Sequence, residues 1–532
     1  MTYSIKPLTL IPFVFALAAC GGGDTSVSAP SAARPTPAPA SNNWSAQAYV
    51  KASNGSVGFQ FGESVALSGD TLAVGAAGES SSDTTITNGN SASADHSAIN
   101  AGAAYVFVRS GSDWSQQAYL KASNAESADI FGSTIAISGD TIVVGANQED
   151  SNQTTITNGS TSSTNNSAVA SGAAYVFVRN GSTWSQQAYL KASNAGVSDG
   201  FGKALAISGD TIVVGTFSED SNQTTITNGS TASTDDSAVT SGAAYVFVRS
   251  DNTWSQQAYL KAANARSDGY FGQSVSISAD TIVVGAIGDR SNQTTITNGS
   301  TASSDTSATA SGAAFVFVRN GSTWSQQAYL KASNANSSDF FGQSVGISGD
   351  TIVVGADGED SNQTTITNGS TASADNSTSF SGAAYVFVRS GNDWSQQAYF
   401  KAPNAEANDN FGARVAISGD TVVVGASDES SNQTTITNGS TASANNAASS
   451  AGAAYVFVRN TSDNTWSHQA YLKAPNAEGG DRFASSLAVS GNTIVVGSKY
   501  EDGSQTTITN GSTASADNTG SNFGAAYVFA RN

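Results

Sequence analysis

The stretch "SGDTIVVGA", residues 138–146, decides the fold, because the chain writes it seven times. It returns unchanged at Ser348, and at Ser208 its last residue is Thr216. Close variants begin at Ser68, Ser278, Ser418 and Ser490. A Ser-Gly-Asp turn followed by β-branched residues predicts a tight turn and a short strand. Seven copies of one turn and strand predict a repeat architecture.

Seven tryptophans mark the period of this repeat. They lie 70 residues apart, with one step of 72, at Trp44, Trp114, Trp184, Trp254, Trp324, Trp394 and Trp466. Each full unit holds four segments of strand-forming residues bounded by turns, typified by WSQQAYLKA, FGSTIAIS, TIVVGA and GAAYVFVR. Several segments are apolar at consecutive positions, so both of their faces must be covered. Radially stacked sheets achieve this, and the sequence predicts an all-β, seven-bladed propeller of four-stranded blades.

The two ends of the repeat array are complementary. The array starts with a lone WSAQAYVKA at residues 44–52 and stops after GAAYVFARN at residues 524–532. We expect residues 44–52 to pair with residues 525–531 and so to latch the ring. The alternative is an open array, which would need polar capping repeats at its ends.

Composition excludes several classes of function. Only 12% of the 532 residues are charged and the net charge is −19, which disfavours nucleic acid and anionic lipid as partners. The only cysteine is Cys20, so the repeats contain neither disulfide nor thiolate chemistry. The two histidines, His96 and His468, lie in different kinds of segment, which disfavours a catalytic triad or a histidine metal site.

The N-terminal segment has the features of a targeting signal. Residues 1–20 combine Lys6 with a thirteen-residue apolar run, too short to span a bilayer and typical of a secretory signal. Their ending, Leu-Ala-Ala-Cys20, resembles the lipobox of bacterial lipoproteins, which implies lipidation of Cys20 and a membrane anchor. In lipoproteins with this pattern an Asp after the cysteine implies retention in the inner membrane, so the resemblance, with Gly21 there, implies the outer membrane or cell surface. The alternative is an ordinary signal peptide with a chance cysteine. Residues 21–43 are small, polar and proline-rich, and they predict a tether before the propeller at residues 44–532.

The motifs of each unit resemble a known family. Phe131-Gly132, the following Val-Val-Gly-Ala and Gly-Ala-Ala-Tyr-Val-Phe are similar to the FG-GAP repeat of the integrin α-subunit propeller, and closer still to bacterial FG-GAP repeat lipoproteins. In the last unit the pair is Phe483-Ala484, a departure expected to loosen that corner. The integrin calcium loop does not carry over, because each turn here has one carboxylate, as at Asp140, and calcium takes six to eight oxygen ligands.

A loop of about 25 residues joins TIVVGA to GAAYVFVR in each unit, a length typical of functional or disordered segments. Its Asn-Gly pair between Thr/Ser-rich arms predicts a small hairpin. Acidic residues at its start could ligate calcium, the one cofactor that the sequence suggests, or form a solvated acidic rim. These candidate metal ligands are Glu149, Asp150, Glu219, Asp220, Asp289, Glu359, Asp360, Asp428, Glu429, Glu501 and Asp502.

Differences between the seven units gather in the loops of one predicted face. Exposed aromatic residues are expected there, and the candidates for ligand contact are Phe217, Tyr270, Phe340 and Tyr500. A non-enzymatic binding or adhesion module with a polysaccharide or protein ligand is the favoured function. A propeller enzyme acting on polysaccharide is the first alternative, but acidic residues recur evenly around the ring, whereas an active site breaks symmetry. A structural subunit of an envelope assembly is the second.

Overall fold

The computed structural model describes residues 42–531, and all of its regular structure is β-strand. Seven sheets are arranged around one axis as the blades of a propeller, and each inner strand contacts the inner strands of both neighbouring blades. No helix within residues 42–531 has the length and apolar character needed to cross a bilayer. The predicted signal peptide and Cys20 lie outside the described residues, as do residues 21–41 of the predicted tether.

Each blade has five strands, numbered here from the axis outward, and the blades are numbered by the position of their inner strand in the chain. The inner strands are Ser64–Ser68, Thr134–Ser138, Ala204–Ser208, Phe271–Ser278, Ser344–Ser348, Arg414–Ser418 and Ser486–Ser490. The second strands are Thr71–Ala76, Thr141–Ala146, Thr211–Thr216, Thr281–Ala286, Thr351–Ala356, Thr421–Ala426 and Thr493–Ser498. The third strands are Ala103–Ser110, Ala173–Asn180, Ala243–Ser250, Ala313–Asn320, Ala383–Ser390, Ala453–Asn460 and Ala525–Arg531.

The fourth strands carry the tryptophans and are Asp113–Leu120, Thr183–Leu190, Thr253–Leu260, Thr323–Leu330, Asp393–Phe400, Thr465–Leu472 and Trp44–Val50. The short edge strands are Thr87–Asn88, Thr157–Asn158, Thr227–Asn228, Thr297–Asn298, Thr367–Asn368, Thr437–Asn438 and Thr509–Asn510. In blade 7 the sheet combines the two ends of the array, because Trp44–Val50 pairs antiparallel with Ala525–Arg531.

The prediction of four strands per blade was wrong by one, and the long loop supplies the fifth. In blade 2, Thr157 pairs with Tyr189 and Asn158 pairs with Ala188 of the fourth strand. The fourth strand would otherwise present unpaired backbone groups at the rim of the propeller. The predicted hairpin is therefore wrong too, since Thr157–Asn158 pairs with the blade and not with a second arm of its own loop.

An asparagine in each edge strand joins neighbouring blades. Asn158 of blade 2 accepts a hydrogen bond from the backbone N–H of Trp254 in blade 3 (2.8 Å) and donates one to its carbonyl oxygen (3.1 Å). The indole Nε1 of Trp254 donates to Gln187 Oε1 of blade 2 at 2.8 Å. The same amide contact recurs at every interface, including Asn510 of blade 7 with Trp114 of blade 1.

The Phe-Gly pair lies where one blade crosses the next. The ring of Phe131 packs edge-on against Tyr175 and Phe177 of its own blade. Gly132 has a φ of 93°, and a Cβ there would lie 2.2 Å from Ala103 O of blade 1, so only glycine fits. In blade 7, Ala484 holds this position with a φ of 74°.

The corner at Ala484 is looser, as expected from the missing glycine. A Cβ built on Gly425 would lie 3.0 Å from Ala484 O, whereas the same distance at the six other crossings is 1.9–2.3 Å. The backbone has moved away to accommodate the methyl group.

Candidate binding site at the mouth of the central channel

Most of the acidic residues considered as metal ligands belong to buried ion pairs. In blade 3, Glu219 Oε2 lies 2.9 Å from Lys261 Nζ, and both side chains are almost fully buried. Glu219 Oε1 also accepts hydrogen bonds from Tyr259 (2.7 Å) and Asn194 (3.1 Å). The seven pairs are Lys51–Glu501, Lys121–Glu79, Lys191–Glu149, Lys261–Glu219, Lys331–Asp289, Lys401–Glu359 and Lys473–Glu429. In each pair the buried lysine ammonium is the cation that neutralises the carboxylate.

The neighbouring acidic residues hold the long loop in shape. Asp150 Oδ1 accepts a hydrogen bond from the backbone N–H of Ala170 at 2.7 Å, and the equivalent bonds are made by Asp220, Asp360 and Asp502. Asp428 differs, since it accepts from Asn410 (2.9 Å) and lies 3.4 Å from Arg482. Residues 42–531 contain no cluster of three histidine, cysteine, aspartate or glutamate side chains suited to a metal ion.

The turn aspartates serve a structural role on the opposite face. Asp140 Oδ1 accepts a hydrogen bond from Arg179 Nε at 2.8 Å, and the Arg179 guanidinium lies 5.3 Å from the centre of the Trp184 ring. The same arginine recurs in all seven blades, with Asn492 replacing the aspartate in the last.

The cations that are not part of the repeated ion pairs and turns concentrate in one region of the propeller. Of the 22 lysines and arginines, Lys6 and Arg34 lie outside the described residues, seven lysines form the buried pairs, and seven arginines bind the turns. Six remain: Lys203, Arg266, Arg290, Arg414, Arg482 and Lys499. Four of these six line one cavity of about 560 Å³ on the axis, to which all seven blades contribute residues. We call it the channel mouth: it is lined by the residues that follow Phe-Gly and by the first residues of the inner strands.

The channel mouth is also where the repeats differ most. The residue after Phe-Gly changes from blade to blade as Glu63, Ser133, Lys203, Gln273, Gln343, Ala413 and Ser485, and each of these lines the cavity. The residue after the second strand and the one before Phe-Gly vary similarly, which brings Asp357, Lys499, Phe340, Asn410 and Arg482 to the same cavity. A nearly identical scaffold thus surrounds a centre without repeat symmetry.

The charged groups at the channel mouth lie close to protein atoms, although Lys203 and Arg414 both remain solvent-exposed. Lys203 is solvent-accessible at the axis, yet desolvation lowers its pKa; Glu63 opposes this effect, and Arg414 and Lys499 add to it. Desolvation lowers the pKa of Arg414 as well, against the attraction of Asp357 and Glu63. Burial raises the pKa of Asp357 to about 6, with Arg414 opposing the rise, and its Oδ1 has no hydrogen-bond partner in the described residues. Lys499 Nζ lies 3.3 Å from Glu63 Oε1.

The four aromatic candidates are half-buried, so the expectation of exposed rings was wrong. Phe217 packs edge-on against Tyr270, with ring centres 5.9 Å apart. Tyr500 is covered by Lys499 and Arg482, whose charged groups lie 5.1 and 5.7 Å from its ring centre. Phe340 lines the channel mouth.

Phe380, which the sequence analysis missed, also lines the channel mouth and is 39% exposed. The sequence analysis also did not single out the cations that line the channel mouth. Comparison of the seven copies at the position after Phe-Gly would have found Lys203, and at the next position Arg414.

His468 contributes no candidate chemistry. It packs beside Tyr455 and Phe457, and burial lowers its pKa to about 4, so it is neutral at physiological pH. His96 packs against Phe59, with ring centres 5.5 Å apart. The two residues are in separate surroundings.

A buried aspartate precedes Phe-Gly in most blades and makes stability depend on pH. Burial is the main cause that raises the pKa of Asp129 and Asp339 to about 8 and that of Asp199, Asp409 and Asp481 to about 7. A carboxyl group whose pKa is higher in the folded than in the unfolded chain stabilises the fold most below its unfolded pKa. This contribution is lost as the pH rises through the folded pKa.

Asp339→Asn is expected to raise the melting temperature at pH 9 and to shrink the difference between pH 5.5 and pH 9. The amide stays neutral and can still accept the hydrogen bond from the Asn336 N–H, which is 2.7 Å long. Thermal melts at the two pH values measure the effect. Asp235→Asn is the matched control, because hydrogen bonds to Ser237 lower the pKa of Asp235 and it is ionised throughout this range. A pH difference unchanged by Asp339→Asn would contradict the assignment.

Comparison with known proteins identifies the class to which these blades belong. The FG-GAP repeat model matches seven times, at residues 44–107, 114–177, 184–247, 254–317, 324–387, 394–457 and 466–529. The chain therefore belongs to the FG-GAP repeat family. No curated protein matches it in sequence.

Two solved structures show a distant likeness. A protein from Lactobacillus plantarum aligns with 9% identity and a TM-score of 0.37, covering 78% of this chain and 86% of that one. An acylaminoacyl peptidase in complex with Z-Gly-Gly-Phe-chloromethyl ketone aligns with 10% identity and a TM-score of 0.33, covering 69% of this chain and 43% of that one. Likeness at this level carries no argument about function.

Proposed function

We propose that this protein is a non-enzymatic binding module of the bacterial cell envelope, whose propeller holds a polysaccharide or protein ligand at the channel mouth. The observation that carries the proposal is the contrast between the repeated scaffold and the unrepeated centre. Lys203, Gln273 and Arg414 stand at equivalent or adjacent positions of three blades, yet share no chemistry. A rigid scaffold that presents varied polar, charged and aromatic groups in one concave site is what ligand binding requires.

Binding is favoured over cleavage because the carboxylates at the centre already have partners. Glycoside cleavage requires two carboxyl groups placed on either side of the scissile bond. Glu63 is held by Lys499, and Asp428 is held by Asn410 and Arg482. Asp357 is the one of these three carboxylates whose side chain has a buried oxygen without a hydrogen-bond partner in the described residues, and the other two are engaged in ion pairs with Lys499 and Arg482.

We also propose that the pairing of Trp44–Val50 with Ala525–Arg531 closes the ring. The same amide and indole contacts that join blades 1 to 6 also join blade 6 to blade 7 and blade 7 to blade 1, through Asn438–Trp44 and Asn510–Trp114. A closed ring fixes the seven blades around the channel mouth and keeps the site rigid.

The envelope location is part of the proposal and rests on Cys20. Cys20→Ala is expected to move the protein from the membrane fraction to the soluble fraction, because acylation of that cysteine is the anchor. Immunoblotting of fractionated cells checks this, with incorporation of labelled fatty acid as the second readout. A Cys20→Ala protein that stays in the membrane fraction would contradict the anchor.

The experiment for the binding function uses soluble protein starting at Ser41, which omits Cys20. It is screened against arrays of glycans and extracellular matrix proteins, once with calcium and once with a chelator. A specific ligand found in both conditions supports a calcium-independent site, as expected if the buried lysines fill the acidic clusters. A ligand lost in chelator supports binding and assigns calcium to it. Absence of any ligand, or release of cleaved glycan, would overturn the proposed function.

A further inference from the structure

We propose that the channel mouth binds an anionic group of an acidic saccharide, with Lys203 and Arg414 as the cations that contact it. This inference rests on the proposed binding function and assigns the chemical class of its ligand. It is carried by the geometry of the two cations, the charge of the rest of the protein and the side chains around them.

Lys203 is a cation without a direct ion-pair partner, and Glu63 acts on it only at longer range. Its Nζ makes no hydrogen bond or ion pair with any residue of the range 42–531, whereas each of the seven buried lysines binds a carboxylate. Its backbone is fixed, since Lys203 N–H donates to Gly200 O at 3.2 Å. A partly desolvated ammonium without a partner gains strongly from a charge-assisted hydrogen bond to an anion.

Arg414 is held in place and keeps donors for a ligand. Its Nε donates to Ser485 O at 3.0 Å, and its Nη1 donates to Ala413 O at 2.8 Å, so the plane of the guanidinium is fixed. Nη2 has no partner in the described residues. A fixed guanidinium with a free edge suits the planar oxygens of a carboxylate or the oxygens of a sulfate. Lys203 belongs to blade 3 and Arg414 to blade 6, so the two cations approach the axis from separate blades.

The rest of the protein makes this cation pair selective. The net charge is −19, and every repeated lysine and arginine already binds a carboxylate, or Asn492 in the last blade. An anion is therefore repelled by most of the surface, whereas at the axis four cations outnumber three carboxylates, Glu63, Asp357 and Asp428. The same net charge opposes nucleic acid, whose binding requires an extended basic surface.

The remaining lining residues favour a saccharide as the carrier of the anion. Gln273, Gln343 and Asn410 offer amides suited to hydroxyl groups, and Phe340 and Phe380 add apolar rings to the lining that can pack against the apolar side of a sugar. The cavity of about 560 Å³ lies within the range of roughly 300–1,000 Å³ typical of ligand sites. The combination of cations, amides and aromatic rings fits a uronate or a sulfated sugar.

The repeats themselves provide the test variants. Lys203→Gln introduces the residue that other blades have at the equivalent position, Gln273 and Gln343. Arg414→Ser likewise introduces the residue found at the equivalent positions Ser274 and Ser344. Both changes therefore give blades that the fold already tolerates. Arg290→Ser is the control, because it removes one half-exposed cation outside the channel mouth, paired with Asp268, and introduces the residue found at Ser430. Thermal melting of all variants verifies the fold.

Calorimetry of soluble protein starting at Ser41 uses three probes: oligogalacturonate, a heparin oligosaccharide and maltohexaose. The wild-type protein is expected to bind one or both acidic probes, more weakly as salt rises, and to leave maltohexaose unbound. Oligogalacturonate and heparin distinguish a carboxylate from a sulfate as the anion. We expect each single variant to lose about tenfold in affinity and the double variant about a hundredfold, with Arg290→Ser within about twofold.

Two results would overturn the inference. The first is a wild-type protein that binds neither acidic probe, and the second is a double variant that binds as tightly as the wild type. If the arrays still show a neutral glycan or protein ligand, the proposed binding function stands while this inference fails. If the arrays show no ligand at all, both fail.

Discussion

Lys261→Met is expected to lower the free energy of unfolding by about 3–5 kcal/mol, because it leaves the buried carboxylate of Glu219 without its charge partner. Lys261 Nζ lies 2.9 Å from Glu219 Oε2 and also donates to Ser241 Oγ and Gly242 O, at 2.7 and 2.6 Å. Burial lowers the pKa of Lys261, whereas the neighbouring carboxylate of Glu219 raises it. Desolvation and pairing therefore compete at this site. Denaturant unfolding of the two proteins measures the difference.

The double variant Lys261→Met with Glu219→Gln separates pairing from burial. It removes both charges, so we expect it to recover much of the stability that the single variant loses. Lys203→Gln is the control for loss of a lysine, and we expect it to change the free energy of unfolding by less than about 0.5 kcal/mol. A Lys261→Met protein as stable as the wild type would show that Glu219 finds another partner.

Removal of residues 42–50 is expected to have an even larger effect, with loss of cooperative unfolding and aggregation of the purified protein. The deletion takes away the fourth strand of blade 7 and leaves Ala525–Arg531 as a bare edge, a known route to aggregation. It also removes the buried Trp44, which donates through Nε1 to Gln469 Oε1 at 2.8 Å. Truncation of one buried tryptophan alone costs about 3–5 kcal/mol.

Protein starting at Asn42 is the control, since it keeps every described strand, and we expect it to melt as the Ser41 form does. A synthetic peptide of residues 42–52 added to the truncated protein should restore cooperative melting by pairing with Ala525–Arg531. A truncated protein that melts like the control would show that the ring does not depend on this strand.

The sequence was informative about the blades because the blades repeat. Four strands per blade could be predicted, since each is long enough to show β-branched and aromatic enrichment between turn residues. The fifth could not, because Thr157–Asn158 is a two-residue strand within a polar loop and shows no periodicity. Its position depends on the free edge of the fourth strand, a tertiary property.

The candidate site was harder to predict than the fold, because the near-identity of the seven repeat units draws attention away from the few positions at which they differ. Glu219 and Lys261 stand 42 residues apart, so neither alone reveals an ion pair, although every unit has a lysine and a carboxylate at these positions, with Asp289 in place of glutamate in one. From the sequence alone these acidic residues are therefore candidates for calcium ligands or for a solvated acidic rim, and calcium binding remains a prediction. The channel mouth required the opposite comparison, of positions where the copies disagree, such as Lys203 against Gln273.

The asparagine contacts between blades have a consequence for how this protein can change. Every blade offers the same amide on one side and the same tryptophan backbone on the other, so one blade is interchangeable with another as a building part. Only chain connectivity and the residues at the axis distinguish the seven. Mutations at the axis can therefore change the ligand specificity without affecting the asparagine–tryptophan contacts between neighbouring blades. Conversely, exchanging whole blades would permute the recognition groups around the axis and keep the frame that carries them.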